Sequence, residues 1–124
     1  MSKLNGLVGQ IVLQVSDDIT TYLPINSPTP FPEGGQAVIV RVINFGQYTL
    51  NIANPTRLSQ AGVALDRYGA MIGRPVTGVE ETEQFARIDF GPDLRLEIDL
   101  RDESFTGPEA MVLYGPDYLI VVWN

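Results

Sequence analysis

The sequence of 124 residues contains no cysteine and no histidine. The lack of cysteine excludes disulfides and thiolate chemistry, and the lack of both excludes Cys/His zinc sites and histidine-based triads. Basic residues are few, since eight stand against fifteen acidic residues for a net charge of -7. Because an acidic chain repels phosphate groups, we expect neither nucleic acid nor an anionic membrane as a partner. A basic protein is the partner that this charge favours.

Long apolar runs are also missing. The longest, residues 118–123, is far shorter than the ~20 residues that a membrane-spanning helix needs. Residues 1–6 lack the apolar core of a signal peptide, so we expect a cytoplasmic protein. Hydrophobic residues make up 44% of the sequence, which is typical of one globular domain at this length.

An internal repeat is the main feature that is present. Residues 7–15 match residues 71–79 at an offset of 64 positions, with one glycine and two valines identical. A second match joins residues 37–40, before a Phe-Gly pair, to residues 110–113, before a Tyr-Gly pair. The repeat predicts a single domain of two related units, about 5–53 and 70–124, joined by residues 54–69.

Runs rich in valine, isoleucine, threonine and tyrosine predict two hairpins in each unit. In the first unit the strands are residues 10–15, 19–23, 36–43 and 48–52, and Ser16, Asp17 and Asp18 form the first turn. The joining segment predicts one short helix, since Leu58, Ala61, Leu65 and Tyr68 recur at helical spacing. We therefore expect an all-β fold of about eight antiparallel strands, as a barrel or a sandwich, with one linking helix. The proline-rich residues 24–35 predict an extended surface loop.

The clearest hairpin lies in the second unit, where residues 86–90 and 94–100 alternate strictly between apolar and charged side chains. One register brings opposite charges together on one face and apolar side chains together on the other. The opposed pairs are Phe90–Leu94, Asp89–Arg95, Ile88–Leu96 and Arg87–Glu97.

The last hairpin, residues 110–113 and 119–123, is apolar on both faces, which predicts strands that are central or covered on both sides. Tyr118 and Trp123 are expected in the core rather than as binding aromatics. The alternative is an exposed face that binds something, and a homodimer is one form of this alternative.

The residues that remain for catalysis are carboxylates in predicted turns, where acids are ordinary solvated groups. They are Asp17, Asp18, Glu80, Glu81, Glu83, Asp102 and Glu103. No segment has the spacing of a calcium loop or of a glycine-rich phosphate loop. We therefore expect no enzyme, no metal site and no cofactor.

The Gly-x-x-Val motif opens both units, and a Tyr…Trp strand closes the second. This pattern resembles a class of small uncharacterised bacterial all-β domains, some relatives of which are thought to be immunity proteins encoded beside toxin genes. The residues that carry the resemblance are Gly9, Val12, Gly73, Val76, Tyr118 and Trp123. The resemblance implies no catalytic residue.

The sequence thus favours a protein-binding module, in the form of an acidic immunity-type inhibitor of a basic partner. The acidic surplus lies entirely in residues 65–124, and the expected partner-binding residues are Glu80, Glu81, Glu83, Asp102 and Glu103. One alternative is a small β-barrel that binds an apolar ligand in a cavity lined by Ile88, Phe90, Leu94, Leu96 and Ile98. A structural or oligomeric domain and a carboxylate-dependent enzyme are the others.

Overall fold

The computed structural model describes residues 3–22, 36–105 and 109–123, and these contain ten strands and three isolated 3-10 turns. The strands are β1 Gln14–Tyr22, β2 Gln36–Asn44, β3 Thr49–Ile52, β4 Thr56–Gln60, β5 Val63–Leu65, β6 Gly78–Glu81, β7 Phe85–Phe90, β8 Leu94–Asp99, β9 Met111–Tyr114 and β10 Ile120–Trp123. The 3-10 turns are Asn5–Leu7, Tyr68–Met71 and Asp102–Ser104. The predicted all-β class is therefore confirmed.

The strands form two antiparallel sheets of five strands each. Sheet 1 has the order β1-β2-β3-β9-β10, and sheet 2 has the order β6-β7-β8-β4-β5. In each sheet, three consecutive strands are followed by a hairpin from the other half of the chain. Each hairpin thereby covers a strand edge, on β3 or on β8, that its sheet would otherwise expose. Neither sheet closes on itself over the described residues, so a barrel is not supported and a sandwich is compatible.

One hydrophobic cluster contains buried side chains from both sheets, such as Leu50 and Leu113 of sheet 1 and Phe90 of sheet 2. The residues expected to line a ligand cavity all belong to this cluster and are at most 1% exposed: Ile88, Phe90, Leu94, Leu96 and Ile98. Trp123 is also buried, as predicted, whereas Tyr118 is fully exposed and the prediction that it lies in the core is wrong.

The β7–β8 hairpin has the predicted register, with Phe90 opposite Leu94 and Asp89 opposite Arg95. Arg95 Nε lies 2.8 Å from Asp89 Oδ1. This hydrogen bond raises the pKa of the Arg95 guanidinium above its usual value. Arg87 also lies opposite Glu97, but its ion pairs are with Glu80 of β6 and with Asp89.

The predicted linking helix is wrong. Residues 54–69 contain β4, β5 and the start of a 3-10 turn, and all five residues of β4 pair with β8. Ala61 and Gly62 form the turn between β4 and β5, with φ angles of 49° and 83° that no α-helix contains. Residues 56–60 form a strand because they pair with β8, a strand far along the chain, even though the spacing of their apolar residues also fits a helix.

Two further expectations need correction. The predicted turn at Ser16–Asp18 is absent, because β1 is one continuous strand that pairs with β2 over nine residues. The last hairpin is covered only in part, since β9 lies between β3 and β10 whereas β10 is the edge of sheet 1. The predicted loop at residues 24–35 lies outside the described residues.

The two copies of the Gly-x-x-Val motif meet in space. Gly9 and Gly73 each donate their N–H to a carbonyl of the opposite motif, at 2.8 Å to Val76 and 2.7 Å to Val12. Val12 and Val76 donate in the same reciprocal way, to Arg74 and Gln10. All four bonds obey the offset of 64 residues, which makes the junction symmetric.

The second sequence match does not correspond in space. Residues 37–40 lie in β2 and residues 111–113 in β9, which are different positions of the same sheet. The hairpin that takes the place of β9–β10 in the other sheet is β4–β5.

Candidate functional site

The candidate site lies at one end of sheet 2, where the turn between β6 and β7 meets the chain that leaves β8. The N–H of Leu100 donates to the carbonyl of Gln84 and joins the two segments. The hydroxyl of Thr82 accepts the N–H groups of Gln84 and Phe85 at 3.1 Å each, which holds the turn in one shape. We call this region the acidic end and define it by Glu81, Glu83, Asp99, Asp102 and Glu103.

Glu81 connects the acidic end to sheet 1. It lies opposite Ala86, and because opposed residues share a face, its side chain is on the core side of sheet 2. The indole N–H of Trp123 donates to Glu81 Oε2 at 2.9 Å, and the main-chain N–H of Lys3 donates to Oε1 at 3.1 Å. Each carboxylate oxygen of the half-buried Glu81 thus accepts a hydrogen bond, which offsets the cost of removing its charge from water.

A cleft of about 170 Å³ opens beside this carboxylate. Glu81 and Glu83 form its polar side, and Leu100, Phe105 and Val122 contribute apolar wall. Lys3 also borders the cleft, with its ammonium nitrogen 4.9 Å from the centre of the Trp123 ring. This distance is within the range of a cation–π interaction.

Asp99 and Arg101 form the second ionic group of the acidic end. Both carboxylate oxygens of Asp99 accept from the Arg101 guanidinium, at 3.0 Å from Nε and 2.7 Å from Nη2, and Ser104 donates to one of them at 2.7 Å. The Arg101 guanidinium, together with Ser104, holds the pKa of the Asp99 carboxyl well below its usual range. The same contact raises the pKa of Arg101. Asp99 therefore stays ionised in the folded protein even in mild acid.

The structure brings four of the five predicted partner-binding residues to the acidic end and separates the fifth. Glu81 and Glu83 border the cleft, and Asp102 and Glu103 lie in the adjacent 3-10 turn. Glu80 is the exception, because strand alternation puts it on the outer face of sheet 2, where Arg87 neutralises it.

The outer face of sheet 2 carries three arginines and four carboxylates, since Asp99 of β8 shares this face with Arg95 and Glu97. Arg57, Glu97, Arg87 and Glu80 lie side by side across four strands, so that positive and negative side chains alternate. The neighbouring row adds the Arg95–Asp89 ion pair. Little of the acidic surplus of the second half of the chain is therefore located on this face.

Sequence reasoning did not assign three residues of the site, namely Lys3, Asp99 and Trp123. Trp123 and Glu81 are 42 positions apart, and Lys3 and Glu81 are 78 positions apart, so no local pattern joins them. One feature of the sequence could have placed Glu81 in the site. If residues 78–81 are taken as a strand, Glu80 and Glu81 lie on opposite faces of the sheet.

Within the described residues, no group of three or more acidic side chains is arranged to hold a metal ion. No helix in the part of the chain that the structure describes is long and apolar enough to cross a membrane. Comparison with known proteins gives no match to a family model, to a curated protein or to a solved structure.

Proposed function

We propose that the chain is a protein-binding module whose acidic end binds a basic segment of a partner protein. The observation that carries this proposal is the position of Lys3, whose ammonium group lies against the Trp123 ring at the edge of the cleft. The edge of the cleft beside the Trp123 ring therefore accommodates a cation on an aliphatic stem. Lysine and arginine are the two side chains with this structure.

The chemistry of the acidic end suits such a ligand. The acidic end contains five carboxylates, of which Glu81 and Glu83 border the cleft, and Lys3 and Arg101 are the two cations described above. A basic segment of a partner adds positive charge to this excess of negative charge, while Leu100, Phe105 and Val122 supply apolar surface for an aliphatic stem. The attraction speeds encounter and weakens as salt screens it.

Binding is proposed in place of catalysis because the carboxylates of Asp99 and Glu81 are already engaged by other groups of the protein. Asp99 is held ionised by Arg101, and a carboxylate of very low pKa is a weak general base at neutral pH. Glu81 is engaged by the Trp123 indole and the Lys3 main chain. An immunity-type inhibitor of a basic protein is the form of the proposal that the sequence resemblance favours.

Tryptophan fluorescence tests the proposal, because Trp123 is the single tryptophan of the sequence and borders the cleft. The full chain is titrated with a peptide of alternating lysine and glycine, and a glutamate–glycine peptide is the control ligand. We expect a saturable change of emission with the basic peptide alone. Its apparent affinity should fall as the ionic strength rises above about 0.1 M, where the Debye length drops below about 10 Å.

Substitutions that remove one charge and keep the shape of the side chain locate the binding site. Glu81→Gln and Glu83→Gln should each weaken binding by about two- to fivefold, which corresponds to about 0.5–1 kcal/mol for an exposed charge pair. Glu80→Gln is the matched control, because it removes the same charge one position from Glu81 and three positions from Glu83, and Glu80 lies on the outer face of sheet 2. Equal weakening by all three variants contradicts the proposed location, and no response to the basic peptide contradicts the function.

A further inference from the structure

Lys3 is the single lysine of the sequence and Trp123 its single tryptophan, and the fold brings the two side chains together. The ammonium nitrogen lies 4.9 Å from the centre of the indole ring, and Lys3 borders the cleft beside Glu81 and Glu83. The proposed function gives this same position to a basic side chain of the partner. The free chain therefore already holds a cation of its own where the partner's cation is expected to bind.

The backbone of Lys3 is held in place without help from its ammonium group. The main-chain N–H of Lys3 donates to Glu81 Oε1 at 3.1 Å. The next residue, Leu4, is fully buried in the hydrophobic cluster, and its carbonyl accepts the N–H of Leu7, which is also fully buried. The Lys3 side chain can thus leave the ring by rotation about its own bonds while its backbone stays in place. It returns as a tethered group with a high effective concentration.

The ammonium group of Lys3 is held weakly. Within the part of the chain that the structure describes, it forms no ion pair with a carboxylate, although two glutamates border the same cleft. Lys3 is an exposed residue, and a cation–π contact at an exposed position changes an equilibrium by about two- to fivefold. Such a contact is strong enough to compete measurably with a ligand and weak enough for a ligand to displace.

On the basis of the function proposed above, we propose that Lys3 is an internal competitor of the partner. In the free chain its side chain covers the Trp123 ring, and a basic side chain of the partner takes this position by displacing it. The exchange replaces one cation at the ring by another. The net gain in binding therefore comes from further cations of the partner, which the carboxylates of the acidic end attract. A segment with several basic residues is favoured over a single lysine.

Calorimetric titration of the full chain with the lysine–glycine peptide tests the competition. Lys3→Ala removes the ammonium group and its stem but keeps the main-chain N–H that Glu81 accepts. This variant should bind the peptide about two- to fivefold more tightly. Lys3→Arg keeps a cation at the ring and should stay within about twofold of the original chain. Arg57→Gln is the matched control for net charge, because it removes one positive charge on the outer face of sheet 2, and it should also stay within about twofold.

A second measurement follows the Lys3 side chain directly and needs no substitution at the site. Reductive methylation converts the single lysine to dimethyl-lysine, which keeps its positive charge. Its methyl signal in a carbon–proton correlation spectrum is identified by its absence from Lys3→Arg. Methyl groups that lie against an indole ring resonate upfield of those on an exposed dimethyl-lysine. We expect this signal to move to the exposed position as the lysine–glycine peptide saturates the chain, and to stay in place with the glutamate–glycine peptide.

The outcomes separate this inference from the proposed function. If Lys3→Ala binds the peptide no more tightly than the original chain, or if the methyl signal stays in place while the peptide binds, the competition is overturned and the proposed function stands. Equal tightening by Arg57→Gln also overturns the competition, because net charge then explains the effect. If the peptide binds neither the original chain nor Lys3→Ala, the proposed function itself fails.

Discussion

Alanine at Gly9 or at Gly73 is expected to destabilise the fold by about the same amount, because the two glycines occupy the same place in the two motifs. Their φ angles are 88° and 83°, and a Cβ at either position meets nothing within 4 Å. The change therefore acts through the backbone alone. The left-handed conformation costs alanine about 1–2 kcal/mol, and the stiffer unfolded chain offsets about 0.4–1 kcal/mol of this.

The expected net loss is about 1 kcal/mol for each variant, or about 3–5 °C in Tm for a domain of this size. Thermal and urea unfolding followed by circular dichroism measure it. Gly69→Ala is the control, since a Cβ there also meets nothing within 4 Å but the residue lacks a positive φ. This variant should be neutral or slightly stabilising. The reasoning is refuted if Gly69→Ala costs as much as the other two, or if Gly9→Ala has no effect.

Three other perturbations follow from the structure. Because the pKa of Asp99 is lowered on folding, the stability it contributes is present above about pH 4 and is lost as the pH falls further, so Asp99→Asn should flatten the decline of Tm in acid. Tyr118→Gly should raise the stability of the monomer by about 0.5–1 kcal/mol in urea unfolding, because it relieves a left-handed tyrosine. Residues 1–66 and 67–124, expressed separately, should each aggregate or stay unfolded and should regain strand content only when refolded together, because each half lacks a hairpin of its own sheet.

The β7–β8 hairpin was predictable because all its information is local. Two alternating segments on either side of a short turn have one register that matches charges on one face and apolar side chains on the other. The observed pairing is that register. Even so, the sequence could not show that Arg87 pairs with Glu80, since this contact needs the neighbouring strand β6.

The segment at residues 54–69 was not predictable for the opposite reason. Leu58 and Leu65 are compatible with a helix, but they lie opposite each other in the β4–β5 hairpin. The partner that stabilises β4 is β8, about 40 positions later in the chain. The conformation of residues 54–69 is therefore decided by pairing with a strand from the other half of the chain, and the local spacing of apolar residues does not show it.

The candidate site was predictable in part. A surplus of acids in the second half of the chain indicated an acidic surface, and four of the five expected residues lie at one end of sheet 2. Which of these acids belong to the site depends on tertiary structure. Arg87 neutralises Glu80 on the outer face of sheet 2, whereas Trp123 donates a hydrogen bond to Glu81 on the other face.

The indole N–H resonance of Trp123 offers the most direct test of the proposed function. The sequence has one tryptophan, so this signal is unique in an amide correlation spectrum of the full chain, and the indole N–H that gives it donates to Glu81 Oε2. The account predicts that the signal shifts saturably when the lysine–glycine peptide is added and that high salt reverses the shift. Binding of the peptide that leaves this signal in place, and shifts residues of the outer face of sheet 2 such as Arg57 instead, contradicts the account.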